Sequence, residues 1–417
     1  MAPIRMSRVG LLPRVCIAIV LGIVCGQFFP QGLARLFVTF NMIFSQFLSF
    51  AIPLIIVGLV TPAIAELGKG AGRWLGVTAA IAYGSTIFAG LLAFVTCVLV
   101  FPSILNYGGA PSVGNPEDGF LAPAFTLEIP PVFGVMTALV LSFCLGVGLT
   151  LIQGDTLRRA FVDLRSVVEW MIAAILIPLL PLYIFGMFLD LTMNGQIAIV
   201  ISTFARVILV AFAIMVVLLL LQYAIAGAMF GRNPLELLKG MAPAYVTALG
   251  TSSSAATIPV TLRCVVRNGV PGPIASFVVP LCATIHLAGS TIKIVTFSLA
   301  IMTITGMPLH VGTYVGFILM LGVTMVAAPG VPGGAIMAAI GILQSMLGFD
   351  DTAIGLMIAM YIAVDSLGTA CNVTGDGAIA CVVSRLSRGR LEGRAAPTTS
   401  PVPEFAGTAA AGSEPAS

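Results

Sequence analysis

Charge is what this chain has least of. Only 8% of its 417 residues are Asp, Glu, Lys or Arg, where soluble domains carry roughly one quarter. Hydrophobic residues make up 59% and the mean hydropathy is +1.11, a composition that cannot solvate a globular surface in water and so excludes a soluble fold. Histidine is nearly missing, with His286 and His310 the only two, which excludes a His-rich metal centre. The eight cysteines form no CxxC pair and are scattered through apolar segments, so neither a disulfide framework nor a zinc site is indicated, and they read as packing residues. No basic cluster interleaved with aromatics is present to hold nucleic acid. No nucleophile–base pair or phosphate loop points to an enzyme.

Long apolar runs are what is there. Six occupy about 13–30, 38–65, 74–101, 130–153, 165–192 and 197–230, and together they point to a chain that crosses about 30 Å of hydrocarbon repeatedly. No small-residue cleavage site follows the first run, which is read as a retained span. Positive charge is one-sided. Arg5, Arg8, Arg14, Lys69, Arg73, Arg158, Arg159, Arg165, Arg232, Lys239, Arg263, Arg267, Arg385, Arg388, Arg390 and Arg394 fall in loops of one face. The opposite loops hold Arg35 and Arg206 beside Glu117, Asp118, Glu128, Asp190, Asp350 and Asp351. The positive-inside rule places both termini, including residues 1–12, in the cytoplasm. The polar Pro/Gly-rich stretch at 103–129 reads as an external loop, and 391–417 as a disordered cytoplasmic tail.

After residue 234 the apolar runs are interrupted. Residues 235–250 lead into Ser252-Ser253-Ser254-Ala255-Ala256-Thr257-Ile258-Pro259, and only a short apolar piece separates these from Arg263. The stretch 311–346 is broken at its middle by Ala328-Pro329-Gly330-Val331-Pro332-Gly333-Gly334. Proline and glycine at this density would leave backbone groups unsatisfied in lipid, so each tip must be buried in protein or line a watery cavity. Two re-entrant hairpins follow, and paired broken elements point to a transport site near the bilayer midplane.

Chemistry concentrates beside them. On the last helix, 352–384, Asp365, Thr369, Asn372 and Asp376 stand at offsets of 0, 4, 7 and 11, which puts them within about 60° of arc on one stripe about 16 Å long. Ionisable groups inside a membrane are costly enough to be functional by default. Asp365 and Asp376 are three turns apart on one helix, so they cannot form an aspartyl-protease dyad. Between the hairpins, at 273–303, His286 and Lys293 lie deep in an apolar run. His286 reads equally as a satisfied structural residue and as a ligand or proton site. Lys293 is followed by about ten apolar residues, too far from a helix end to snorkel, and is expected to face inward.

These residues carry a resemblance. In SSSAATIPVT, PLCATIHLAG, GVPGG and NVTGD the chain resembles the dicarboxylate/amino acid:cation symporter family, which includes glutamate and neutral amino-acid carriers and archaeal aspartate transporters. The resemblance covers about residues 10–390. It implies an all-α polytopic membrane protein of eight transmembrane helices plus two re-entrant helical hairpins, built from inverted repeats, trimeric, and working as an elevator in a bacterial inner membrane. A scaffold (13–65 and 130–192) would hold a mobile transport domain (74–101 and 197–390). By position, Asp365 matches the aspartate that holds a substrate amino group. Asn372, Ser253 and Ser254 match binders of its α-carboxylate, Thr369 and Ser290 match polar neighbours, and Val331 lies in the external gate. Asp376, with backbone at Cys282, His286 and Asn372, matches one sodium site; Thr284 with carbonyls near Met325, Val326 and Ala328 matches another. Oxygen-rich sites suit a hard cation. No other cofactor is implied.

Two departures bear on specificity. Gly368 stands where acidic-substrate members place an arginine, so the bidentate clamp on a side-chain carboxylate is missing, and a retained Asp365 disfavours a dicarboxylate without an amine. A neutral amino acid fits both. Yet Lys293 replaces a tyrosine and Tyr361 an aspartate, so a positive charge moved between helices would restore acidic or dicarboxylate recognition; both readings stay open. The family's NMDGT reads His286-Leu287-Ala288-Gly289-Ser290 here, losing an aspartate that would form a third sodium site with Ser85 and Thr86. One or two sodium ions are expected, with proton coupling, Lys293 as a built-in cation, or obligate exchange as alternatives.

Overall fold

The computed structural model describes residues 11–68, 72–105, 122–195, 197–328 and 332–387. Residues 1–10, Lys69, positions 106–121 of the expected external loop, Val331 and the tail from 388 onward lie outside them. Every regular element among the described residues is a helix. In chain order these are α1 (Leu11–Gly26), α2 (Gln31–Gly68), α3 (Gly72–Ile104), α4 (Val135–Leu151), α5 (Thr156–Met171), α6 (Ile177–Met193), α7 (Ile197–Phe230) and α8 (Pro234–Gly240). There follow α9 (Ala242–Thr251), α10 (Ser254–Arg267), α11 (Gly272–Ile285), α12 (Ala288–Thr305), α13 (Val311–Val326), α14 (Gly334–Leu347), α15 (Asp351–Ala363) and α16 (Asp365–Ser387).

Among the described residues, five helical stretches are long and apolar enough to cross a membrane: Gln31–Ala65, Trp74–Ile104, Thr156–Met193, Ile201–Phe230 and Gly272–Thr305. The pair α15 and α16, bent by 62°, makes a sixth, and α1 and α4 are shorter apolar helices. Large apolar side chains point outward, with Leu99, Leu209 and Leu151 exposed by 73%, 68% and 79%; such a surface is stable where lipid is the solvent.

One group of helices packs through small residues. α1 lies on α6, and α2 on α4, α5 and α6. A Cβ at Gly22 would sit 2.7 Å from the Phe185 carbonyl oxygen, so the backbones touch, as membrane helices do at small-residue contacts. A π-helical turn, Ile172–Leu176, joins α5 to α6 just before Pro178 and Pro181, whose missing backbone donors disturb the ladder.

A second group is built around α16, which packs on α3, α7, α9, α10, α11 and α12. α12 is buried from Ala288 through Met302, so its polar residues meet protein and not lipid. The chain reverses at Ser252, a non-glycine residue with φ +49°, and Ser253 caps α10 by accepting from the Ala256 N–H at 3.3 Å. The returning arm ends beside its start, since Asn268 donates to the Leu237 carbonyl at 2.8 Å. α13 and α14 also pack against each other, with Gly333 at φ +76° where α14 begins. These reversals fall at the serine run and the Pro/Gly run.

Two breaks were not expected. The stretches 273–303 and 352–384 read as single helices, whereas the structure interrupts them at His286–Leu287 and at Val364. Neither break holds a proline. At the first, the Asn372 side chain supplies the acceptor that the ladder loses, taking the Gly289 N–H at 2.7 Å and the Ser290 N–H at 3.4 Å.

Candidate functional site

A buried polar cluster sits where α12, α14, α15 and α16 converge. Lys293 on α12 is fully buried and donates to Asp365 Oδ1 at 2.9 Å. The other carboxylate oxygen, Oδ2, accepts the backbone N–H of Gly333 at 2.8 Å. The ammonium also lies over the Tyr361 ring, 3.4 Å from its centroid, where the negative ring face attracts a cation. Gly368 faces Lys293: a Cβ there would meet its Cε and lie 2.7 Å from Nζ. Breaking a buried pair by removing one partner leaves an uncompensated charge, so Lys293 and Asp365 hold each other in place.

Two turns along α16 from Asp365, Asn372 joins the same cluster. Its Oδ1 caps α12, and its Nδ2 donates to Ser290 Oγ at 3.1 Å. Ser290 Oγ also accepts the Tyr361 hydroxyl at 2.9 Å. Thr369 is buried, with its hydroxyl turned back to the Asp365 carbonyl at 3.0 Å. The close approach of α12 to α16 rests on glycine, because a Cβ at Gly289 would lie 2.6 Å from the Gly368 carbonyl oxygen.

A second polar chain lies further along α16. Asp376 Oδ1 is 2.9 Å from His286 Nδ1, and both side chains are buried. His286 Nε2 is 3.1 Å from Ser85 Oγ on α3, and Ser85 Oγ accepts from Gln222 Nε2 on α7 at 2.9 Å. With the ring proton on Nδ1, His286 donates to the carboxylate and accepts the serine hydroxyl. A side chain at an interrupted helix thus ties α16 to α3 and α7.

Other expected site residues are spread around these two clusters. Ser254 is buried at the start of α10, while Ser253 serves as its cap. Cys282, Met325 and Ala328 are buried, and Val326 packs at the edge of the core. Thr284 returns its hydroxyl to the Leu281 carbonyl at 2.8 Å. Thr86 does likewise to Ala82 at 2.9 Å, so it does not share the partner of Ser85. Tyr361, Gln222 and Gly333 belong to the clusters and were not among the residues expected to form the site. A glutamine in the apolar run of α7 is the signal that would have found Gln222.

Buried acceptors at the meeting of broken helices are the means to receive an ammonium or a hard cation, and buried donors beside them suit a carboxylate. The sodium:dicarboxylate symporter family matches residues 11–386. The chain belongs to that family. Excitatory amino acid transporter 1 of Rattus norvegicus is 31% identical over 263 residues, covering 61% of this chain and 48% of that protein. The chain spans about half the length of this relative. The serine/threonine transporter SstT of Acinetobacter baumannii (strain AYE) is 27% identical over 399 residues, covering 92% of this chain and 98% of that protein. Symporter-family membership fits the helical, apolar fold and the absence of enzyme chemistry in the sequence.

Proposed function

We propose that the chain is a cation-coupled carrier of a small neutral amino acid in a bacterial inner membrane. The observation that carries this reading is the charge balance of the site. Lys293 and Asp365 form a 2.9 Å pair with no net charge, and Gly368 adds none. A zwitterion brings one ammonium and one carboxylate and matches that balance. An acidic amino acid brings a further carboxylate for which no arginine stands at position 368. A dicarboxylate such as succinate would bring two negative charges beside Asp365 and no ammonium. The near full-length likeness to a protein named for serine and threonine transport supports the same choice.

In this reading Asp365 takes the substrate ammonium. Asn372 and Ser290, with Ser253 and Ser254 on the hairpin tip and Thr369 nearby, receive the carboxylate end. Asp376 with backbone at Cys282, His286 and Asn372 holds one sodium ion; Thr284 with carbonyls at Met325, Val326 and Ala328 holds another. His286 occupies the side of Asp376 that faces Ser85, which argues against a third. The five long apolar stretches, the bent pair, α1 and α4 supply eight membrane-crossing elements. The folded-back pairs α8–α10 and α13–α14 are re-entrant hairpins. Residues 13–65 and 130–192 form a scaffold within a homotrimer, and 74–101 with 197–390 move against it as an elevator, both termini being cytoplasmic.

One observation favours a second reading. Lys293 Nζ lies where a side chain at 368 would begin, 2.7 Å from an added Cβ, so it could receive a side-chain carboxylate. Uptake into proteoliposomes of serine, alanine, aspartate and succinate, each under an imposed sodium and then an imposed proton gradient, separates the two. Sodium-driven entry of serine or alanine without aspartate is expected; entry of aspartate or succinate instead would assign Lys293 to anion recognition.

A further inference from the structure

Lys293 occupies the place that the proposed function gives to the substrate. Its ammonium donates to Asp365 at 2.9 Å and lies over the Tyr361 ring at 3.4 Å. An amino acid's ammonium would seek the same carboxylate. We infer that Lys293 is a tethered competitor, which fills the amine subsite on Asp365 in the empty carrier and is displaced when substrate enters. The inference rests on the amino-acid reading above and adds the order of events: binding is an exchange of one ammonium for another.

Three features support it. Asp365 is the only charged partner of Lys293 among the described residues, so the pair has the composition of a bound amine and its receptor. Both carboxylate oxygens are engaged, one by Lys293 and one by the Gly333 N–H at the start of α14, so the filled subsite also ties the second hairpin to α16. The path of the lysine exists because position 368 is glycine; a Cβ there would meet Lys293 Cε. The tip of a lysine is flexible, so such a Cβ would push the ammonium aside and leave the α16 backbone where it is.

A competitor lowers apparent affinity by the fraction of carriers in which the subsite is open. Lys293→Met removes the competitor, and Gly368→Ala dislodges it while keeping its charge. Equilibrium binding to purified protein is measured for three pairs that differ by an amine: serine and glycerate, alanine and lactate, aspartate and malate. Both variants are expected to bind serine and alanine about tenfold more tightly or better, where the open subsite was about a tenth of the population, with no gain for glycerate or lactate. Should Lys293→Met not fold, Gly368→Ala carries the comparison. Equal weakening of serine and glycerate in Lys293→Met, or unchanged serine affinity in the folded variants, overturns the inference and leaves the amino-acid reading standing. Wild-type binding of malate with no binding of any amino acid overturns both.

Discussion

Asn372 holds the start of α12 with both ends of one amide: its oxygen takes the Gly289 and Ser290 N–H groups and its nitrogen donates to the Ser290 hydroxyl. Asn372→Ala would leave the Gly289 N–H buried without its acceptor, a loss of about 1–3 kcal/mol. Thermal unfolding in detergent, without substrate, is expected to show a lower melting temperature; an unchanged one would mean that the start of α12 finds another acceptor. The role of Asn372 as a polar member of the α16 stripe was legible in its spacing, since offsets along one helix fix the face. Its capping of α12 was not, because the break at His286–Leu287 has no proline to announce it. Lys293 was legible as a buried charge that requires a partner. That partner is 72 positions away, on a helix whose approach depends on Gly289 and Gly368, and sequence spacing carries no information about contacts between elements so far apart.

At the scale of elements, the reversals that were legible are those where the backbone chemistry itself forbids a helix in lipid. Serines 252 to 254 and the Pro/Gly run at 328–334 mark both turns, because such residues compete with or lack the helical hydrogen bond. The break at His286–Leu287 follows instead from tertiary capping by Asn372, and both it and the break at Val364 fall in stretches that read as continuous helix. Ser252 offers a test of the first turn. At φ +49° a side chain is crowded against the following carbonyl, at a cost of roughly 1–2 kcal/mol that glycine avoids. Ser252→Gly is therefore expected to hold or raise the melting temperature, and Ser252→Val to lower it, each measured apart from transport. A Ser252→Val protein as stable as the wild type would show that the turn does not keep its left-handed conformation in the bilayer.

For the whole molecule the decisive question is whether the helices around α16 move against those around α2 as a body. The two groups meet where α15 packs on α1 and α6 and where α14 packs on α2 and α4; at the latter face a Cβ at Gly341 would lie 2.6 Å from Ile52 Cγ2 and 3.0 Å from Val135 Cγ1. Side chains this close are in reach of a disulfide, whose Cβ atoms must stand about 3.5–4.5 Å apart. Ile52→Cys with Gly341→Cys, in a background from which the eight native cysteines are removed, would pin α14 to α2. If transport requires α14 to slide along α2, oxidation stops uptake and reduction restores it, while substrate binding persists in the locked state. Uptake that continues with the disulfide demonstrably formed would mean that α14 stays with the scaffold and that access alternates by local opening of the hairpins. The two outcomes differ physically because interdigitated side chains at a packed face allow either a rigid slide or no motion. A covalent bond across that face is silent only in the second case.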